Sequence, residues 1–191
     1  MGGQYFTNPI EFLIGTLFGL YTLAIMLRFL LQWVRADFYN PISQFLVKIT
    51  QPVLRPARRV IPGWGGIDFA AILIMIVLQF VSFLLINALR GGPMLLAPLF
   101  VLSIYELISL FLYVYLFAIL IQVVISWINP GSYNPALPLL YSLTEPVLGR
   151  IRRLLPPMSG LDLSPMVALI GIYLLRMLIL PPIQHLAFAI Q

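Results

Sequence analysis

Four long apolar runs, separated by two basic polar stretches, set the pattern of this chain. A bilayer core of about 30 Å takes roughly 20 apolar residues of helix to cross. The runs at about 11–34, 69–89, 105–128 and 163–180 satisfy that length. The fourth is expected to stop at Pro181-Pro182, because neither proline can donate a helix hydrogen bond. The apolar segment 94–101, which carries Pro98, is expected to be an interfacial or re-entrant piece ahead of the third span. The first run has no Lys or Arg before it and no small-residue cleavage pattern after it, so it is expected to stay in the mature protein.

The pattern repeats. Displaced by 94 residues, the chain matches itself without a gap. Trp33 falls on Trp127, Tyr39-Asn40-Pro41 on Tyr133-Asn134-Pro135, and Thr50 on Thr144. Pro52-Val53-Leu54 falls on Pro146-Val147-Leu148, and Arg58-Arg59 on Arg152-Arg153. Pro62, Gly66 and Asp68 fall on Pro156, Gly160 and Asp162. Each unit (1–92 and 93–191) is span, basic loop, span. Two spans per unit is an even number, so both units point the same way across the membrane. Their expected relation is a pseudo-two-fold axis along the membrane normal, unlike an inverted repeat. The predicted fold class is therefore an all-α membrane protein of four transmembrane helices, arranged as two parallel two-helix repeats.

Composition sharpens this picture. Of 191 residues, 61% are apolar and only 9% charged, too few charges to cover a water-soluble fold of this size. The absence of cysteine excludes disulfides, thiolate metal sites and cysteine nucleophiles. The single histidine, His185, excludes any site that needs two. No HExxH, GxSxG or phosphate-binding glycine loop is present; Gly63 and Gly65-Gly66 lack the preceding strand and the lysine. The expectation is a protein that is not an enzyme, with no catalytic residues, metal or cofactor, and with no nucleic acid as partner.

Eight of the 11 Lys and Arg residues lie in the loops 35–68 and 129–163. The positive-inside rule places both loops in the cytoplasm and both termini outside it. Each loop is expected to hold a basic amphipathic helix at the interface. Its apolar face would be Val53, Leu54, Ala57, Val60 and Ile61 in one copy, and Val147, Leu148, Ile151, Leu154 and Leu155 in the other. Thr50 and Thr144 would cap these helices, with Pro52 and Pro146 in the first turn and Pro62 and Pro156 beyond the end. Asn40-Pro41 and Asn134-Pro135 read as a further helix start. Arg58, Arg59, Arg150, Arg152 and Arg153 are candidates for contact with anionic lipid or a membrane-protein partner. The alternative is that they only set topology. Trp33 and Trp127 read as interfacial anchors. Asp68 and Asp162 each precede a span and read as helix caps, with a duplicated ion site as the alternative.

Inside the spans, Arg28 is expected to snorkel to the cytoplasmic headgroups. Arg176 lies near mid-depth of the fourth span and needs a partner; Glu106 is the expected one, as an intramembrane polar pair. Glu11 is the other acid in reach. Gln32, Gln79, Asn87 and Gln122 are candidates for hydrogen bonds between helices. Gly15-x-x-x-Gly19 would allow close helix approach, but it has no counterpart in the second repeat and is weak as an association motif. A second copy of the chain, forming a homo-oligomer, is a separate candidate partner.

The duplicated Tyr-Asn-Pro, Thr-[Gln/Glu]-Pro-Val-Leu, Arg-Arg-x-x-Pro and Gly-[Ile/Leu]-Asp resemble the YggT family, also called YlmG-like. The second copy matches more fully, through Thr144-Glu145-Pro146, Arg152-Arg153, Pro156-Pro157, Gly160 and Asp162-Leu163-Ser164-Pro165. The first departs at Gln51, Gly63-Trp64 and Phe69-Ala70-Ala71. The resemblance implies two tandem family units in a bacterial inner-membrane protein without an established catalytic activity. It also implies links to osmotic-stress tolerance, cation homeostasis and cell-division gene neighbourhoods, and in plastids to cytochrome b6 haem maturation or nucleoid distribution. It carries over no ligand-binding residue. The function it points to is a scaffold or assistance factor; the alternative is a small channel or transporter around the pseudo-two-fold axis.

The predicted topology has a direct check in a cysteine-free chain. An impermeant thiol reagent should label Gly2→Cys from outside and miss Ser132→Cys; the reverse pattern would invert the orientation.

Overall fold

The fold is described from a computed structural model, which covers residues 3–128, 134–154 and 162–190. Six helices follow in order: α1 (Gly3–Trp33), α2 (Pro41–Val60), α3 (Phe69–Leu89), α4 (Leu96–Ile128), α5 (Ala136–Leu154) and α6 (Ser164–Ala189). Among the described residues there is no strand. α1, α3, α4 and α6 are long and apolar enough to cross a membrane, over Asn8–Trp33, Phe69–Leu89, Leu96–Ser126 and Ser164–Ala189. The protein is a multi-pass, all-helical membrane protein. Phe12, Leu13, Leu17 and Leu20 are all exposed on α1, as a lipid-facing surface requires.

Two spans differ from the sequence expectation, each for a backbone reason. Residues 96–101 are not a separate interfacial piece but the first turns of α4. Pro98 stands third in that helix, where its missing N–H would have had no helical partner anyway. The span of 31 residues is about 46 Å long at 1.5 Å per residue, so it must tilt or protrude. α6 does not stop at Pro181-Pro182 but runs through both to Ala189. In lipid no water rewards breaking the ladder, so a helix keeps its remaining bonds past a proline.

The loop helices are also longer than expected. α2 starts at Pro41, with Asn40 Oδ1 accepting from the Ile42 N–H, and holds Pro52 and Pro56 in its interior. Thr50 and Thr144 are therefore mid-helix residues and not caps. The helix survives its prolines because Pro52 and Pro56 lie one turn apart on its exposed side, where freed carbonyls meet water. Ser43, Leu46, Thr50 and Leu54 form the buried side, and Leu139, Leu143, Thr144 and Leu148 do so in α5. Of the expected apolar faces, Leu54 and Leu148 are fully buried, whereas Val60 and Leu154 are exposed. Leu155, Pro156 and the side chain of Trp127 lie outside the described residues.

α1 packs on α3, α4 on α6, and α3 on α4. One core joins both repeats: Ile25, Met26 and Leu30 of α1, Met75 of α3, Ile119 of α4 and Ile172 of α6 close around Leu54 and Leu148. Asn40 Nδ2 donates to the Pro135 carbonyl at 2.6 Å, which puts both loops on one side. On the other side Arg90 pairs with Glu11 at 2.7 Å. Gly15 and Gly19 have no neighbour where a Cβ would stand, so the motif joins no helices within the chain.

Leu54 and Leu148 are equivalent by repeat, and each anchors its loop helix. Leu54→Ala and Leu148→Ala should each cost about 2–5 kcal/mol, against less than about 0.5 kcal/mol for the exposed Val60→Ala. Thermal unfolding in detergent reads the difference.

Candidate functional site

The residues singled out by the sequence gather where the loop helices meet the spans. The first link is a buried hydroxyl. Thr50 and Thr144 are both 0% exposed. Arg28 of α1 donates from Nη1 to Thr50 Oγ1 at 2.7 Å and from Nη2 to Gln51 Oε1 at 2.9 Å. Thr50 in turn donates to the Leu46 carbonyl. Arg28 does not snorkel; it is 8% exposed and holds α2 to the bundle. At the equivalent place in the second repeat, the Thr144 hydroxyl donates to Gln122 Oε1 of α4. Tyr21 adds a second tie from α1, donating to the Ile49 carbonyl at 3.2 Å.

The second link is ionic. Arg58, near the end of α2, donates from Nε to Asp68 Oδ2 at 3.0 Å and also through Nη2. Asp68 Oδ1 meanwhile accepts from the Ala71 N–H at the start of α3. A tight turn brings the two together: Gly65 and Gly66 both have positive φ, 60° and 81°, between the paired Trp64 and Ile67. In the second repeat Arg152 donates from Nε to Asp162 Oδ2 at 2.9 Å, and its Nη1 pairs with Glu145 at 2.9 Å. Asp162 Oδ1 accepts from the backbone and hydroxyl of Ser164. The first arginine of each Arg-Arg pair thus closes onto the acid that opens the next span. Arg59 and Arg153 remain exposed, and Arg150 donates to the Pro146 carbonyl.

Burial works against the Asp162 charge, but the two bonds from Ser164 and the Arg152 guanidinium outweigh it and hold its carboxyl below the ordinary range.

The intramembrane pair is not the one the sequence suggested. Glu106 and Arg176 form no ion pair; the Arg176 guanidinium lies 3.5 Å over the Tyr113 ring of α4. A ring face offers a cation negative potential without a second buried charge, and Tyr113 is one helix across from Arg176. Glu11 is taken by Arg90. Sequence reasoning missed Tyr113, Tyr21 and the hydroxyls of Thr50 and Thr144. The repeat register could have found the last: position 28 falls on 122, a long polar side chain one loop away from Thr in both copies.

Asp68 is nearly buried and Asp162 half exposed, so Asp68→Asn should lower stability by about 2 kcal/mol and Asp162→Asn by less. The Asp162 carboxylate is favoured in the folded state, so its contribution is present above the ordinary carboxylate pKa and lost as pH falls through its lowered value. In thermal melts the wild type and Asp162→Asn should differ steadily above the ordinary carboxylate range of about pH 4 and converge only as pH falls through the lowered value of Asp162.

The family model of CCB3/YggT matches residues 7–89 and 101–183, one match per repeat. The chain is 47% identical over 171 residues to an uncharacterized protein of Pseudomonas aeruginosa, covering 88% of this chain and 87% of that one. It is 44% identical over 168 residues to a protein encoded 3' of proC in Vibrio alginolyticus, covering 86% and 90%. It is 39% identical over 172 residues to the YggT protein of Escherichia coli K12, covering 89% and 88%. No solved structure matches. With two tandem matches in register with the two helical units, the chain belongs to the CCB3/YggT family.

Proposed function

We propose that this chain is a non-enzymatic inner-membrane protein that scaffolds or assists a membrane process, with osmotic-stress tolerance or ion homeostasis as its setting. In this reading the outer faces of α2 and α5 engage anionic lipid or a membrane-protein partner. The observation that carries it is an unpaired basic stripe. Lys48, Arg55 and Arg59 are exposed along α2, with Pro52 and Pro56 between them, and none has a hydrogen-bond or ion-pair partner among the described residues. Arg153 extends the same character to α5. Topology alone asks only for charge in the loop; it does not ask that the charges line up on the side away from the bundle. Near an anionic surface each such residue contributes about 1 kcal/mol.

Arg58 and Arg152 take no part in this surface, because their guanidiniums are held by Asp68 and Asp162. The test is lipid retention. Protein purified from mixed vesicles should carry phosphatidylglycerol in excess over phosphatidylcholine, and less of it as salt rises. The variant Arg55→Gln, Arg59→Gln, Arg153→Gln should lose that excess and fail to restore hyperosmotic growth to a strain lacking the protein. Unchanged retention and unchanged growth would overturn the reading.

A further inference from the structure

Between the end of α1 and α2 lies a cavity of about 490 Å³. Three arginines line it, Arg28, Arg35 and Arg58, together with Gln32, Gln51 and Ser43. No acid lines it. Both carboxylate oxygens of Asp68 are engaged, by Arg58 and by the Ala71 N–H, and Asp37 accepts from the Tyr39 N–H.

Arg28 is the unusual member. It is 8% exposed, and its partners are the neutral Thr50, Gln51 and Val47 carbonyl. Among the described residues no carboxylate comes within ion-pair distance of it. A buried guanidinium satisfied only by neutral acceptors is costly, and an anion in the adjoining cavity removes that cost. Among the described residues its Nε–H and one Nη2 hydrogen have no acceptor, nor has Nη1 of Arg58.

Arg35 supplies independent support. It has φ of 55° and ends α1: the Ala36 N–H returns to the Leu31 carbonyl across it. That left-handed position favours Gly or Asn, and any other residue there stores of order 1 kcal/mol of strain. The second repeat has Asn129 at the equivalent place in sequence. The first repeat instead carries a guanidinium there, on the rim of the cavity. Two further lining positions differ in the same sense, Arg28 and Gln51 corresponding to Gln122 and Glu145, whereas Arg58 is kept as Arg152. At these lining positions the second copy has fewer cations and one more acid, with the helix linkage through Thr144 kept.

We propose that the cavity is a phosphate-binding site, present only in the first repeat. Three planar forks around one concavity suit the tetrahedral anion of a phosphate monoester or diester. The group is either the headgroup phosphate of an anionic lipid or a free phosphate ion, and the apolar wall of Leu31, Phe38 and Leu46 suits the start of the former's acyl chains. The site borders the outer basic stripe at Val47 and Gln51 but shares none of its cations Lys48, Arg55 and Arg59.

The test uses the full chain in phosphatidylcholine nanodiscs. Inorganic phosphate is titrated in one arm and phosphatidylglycerol is incorporated in the other, with binding read by thermal stabilisation and by native mass spectrometry. Arg28→Gln and Arg35→Asn install the residues that the second repeat already uses, so the fold is retained; melting without ligand checks this. Both arms are run in a chain that already carries Arg55→Gln, Arg59→Gln and Arg153→Gln, so that the outer stripe contributes nothing; there each cavity variant should weaken binding of the responding ligand about 10–100-fold. In that background a response to phosphate identifies the free ion, and a response to phosphatidylglycerol alone identifies the lipid. No response in either arm, or equal binding by Arg28→Gln and Arg35→Asn, overturns the site. Failure of the outer stripe would appear only in the Arg55, Arg59 and Arg153 variants.

Discussion

A buried threonine hydroxyl, Thr50 in one repeat and Thr144 in the other, fixes where each loop helix sits. A basic helix at a membrane surface has no inherent reason to dock on the bundle beneath it. Here a polar side chain of the preceding span, Arg28 or Gln122, meets the hydroxyl below the surface. Satisfying a buried polar group fixes position more sharply than apolar contact, because a small displacement loses the bond entirely. One turn further on, Leu54 and Leu148 enter the shared core. The ion pairs of Arg58 with Asp68 and Arg152 with Asp162 then close each loop onto the start of the next span.

These two links give physical content to the duplicated motif. The Thr-x-Pro-Val-Leu segment docks the helix, through Thr and Leu four residues apart on one face. The first Arg and the distant Asp then close the loop and cap the following span in one step. The motif reads as a device for holding a loop helix against a helix pair, with the second Arg left facing outward.

The four spans, the duplication and the same-side loops were legible because hydrophobic runs and repeat register are properties of the sequence itself. What was not legible depended on who faces whom. Proline looked like a boundary, a helix start at Pro52 and Pro146 and a helix end at Pro181. All three lie inside their helices, since the freed carbonyls face outward or the lipid gives no alternative. Arg28 looked able to reach the headgroups, but α2 covers it. Arg176 called for a partner, and charge complementarity pointed to Glu106; an aromatic face on the adjacent helix, which no charge pattern reveals, is what it meets.

The two repeats agree in packing and differ in charge. Ile25 and Ile119, Thr50 and Thr144, and Leu54 and Leu148 are equivalent and fully buried alike. The charged groups within the spans are not duplicated. Arg28 corresponds to Gln122, Arg176 to the buried Ser82, Glu11 to Tyr105 and Glu106 to the exposed Phe12. A conduction path on the pseudo-two-fold axis would draw matching polar groups from both units, as rings of equivalent ligands do in pores. Here the matching groups are the ones that hold helices together, and the unmatched ones sit in separate places, Arg28 under α2 and Arg176 on Tyr113. That division is what the proposed scaffold reading requires and is not the matched arrangement that a pore formed by symmetry would need.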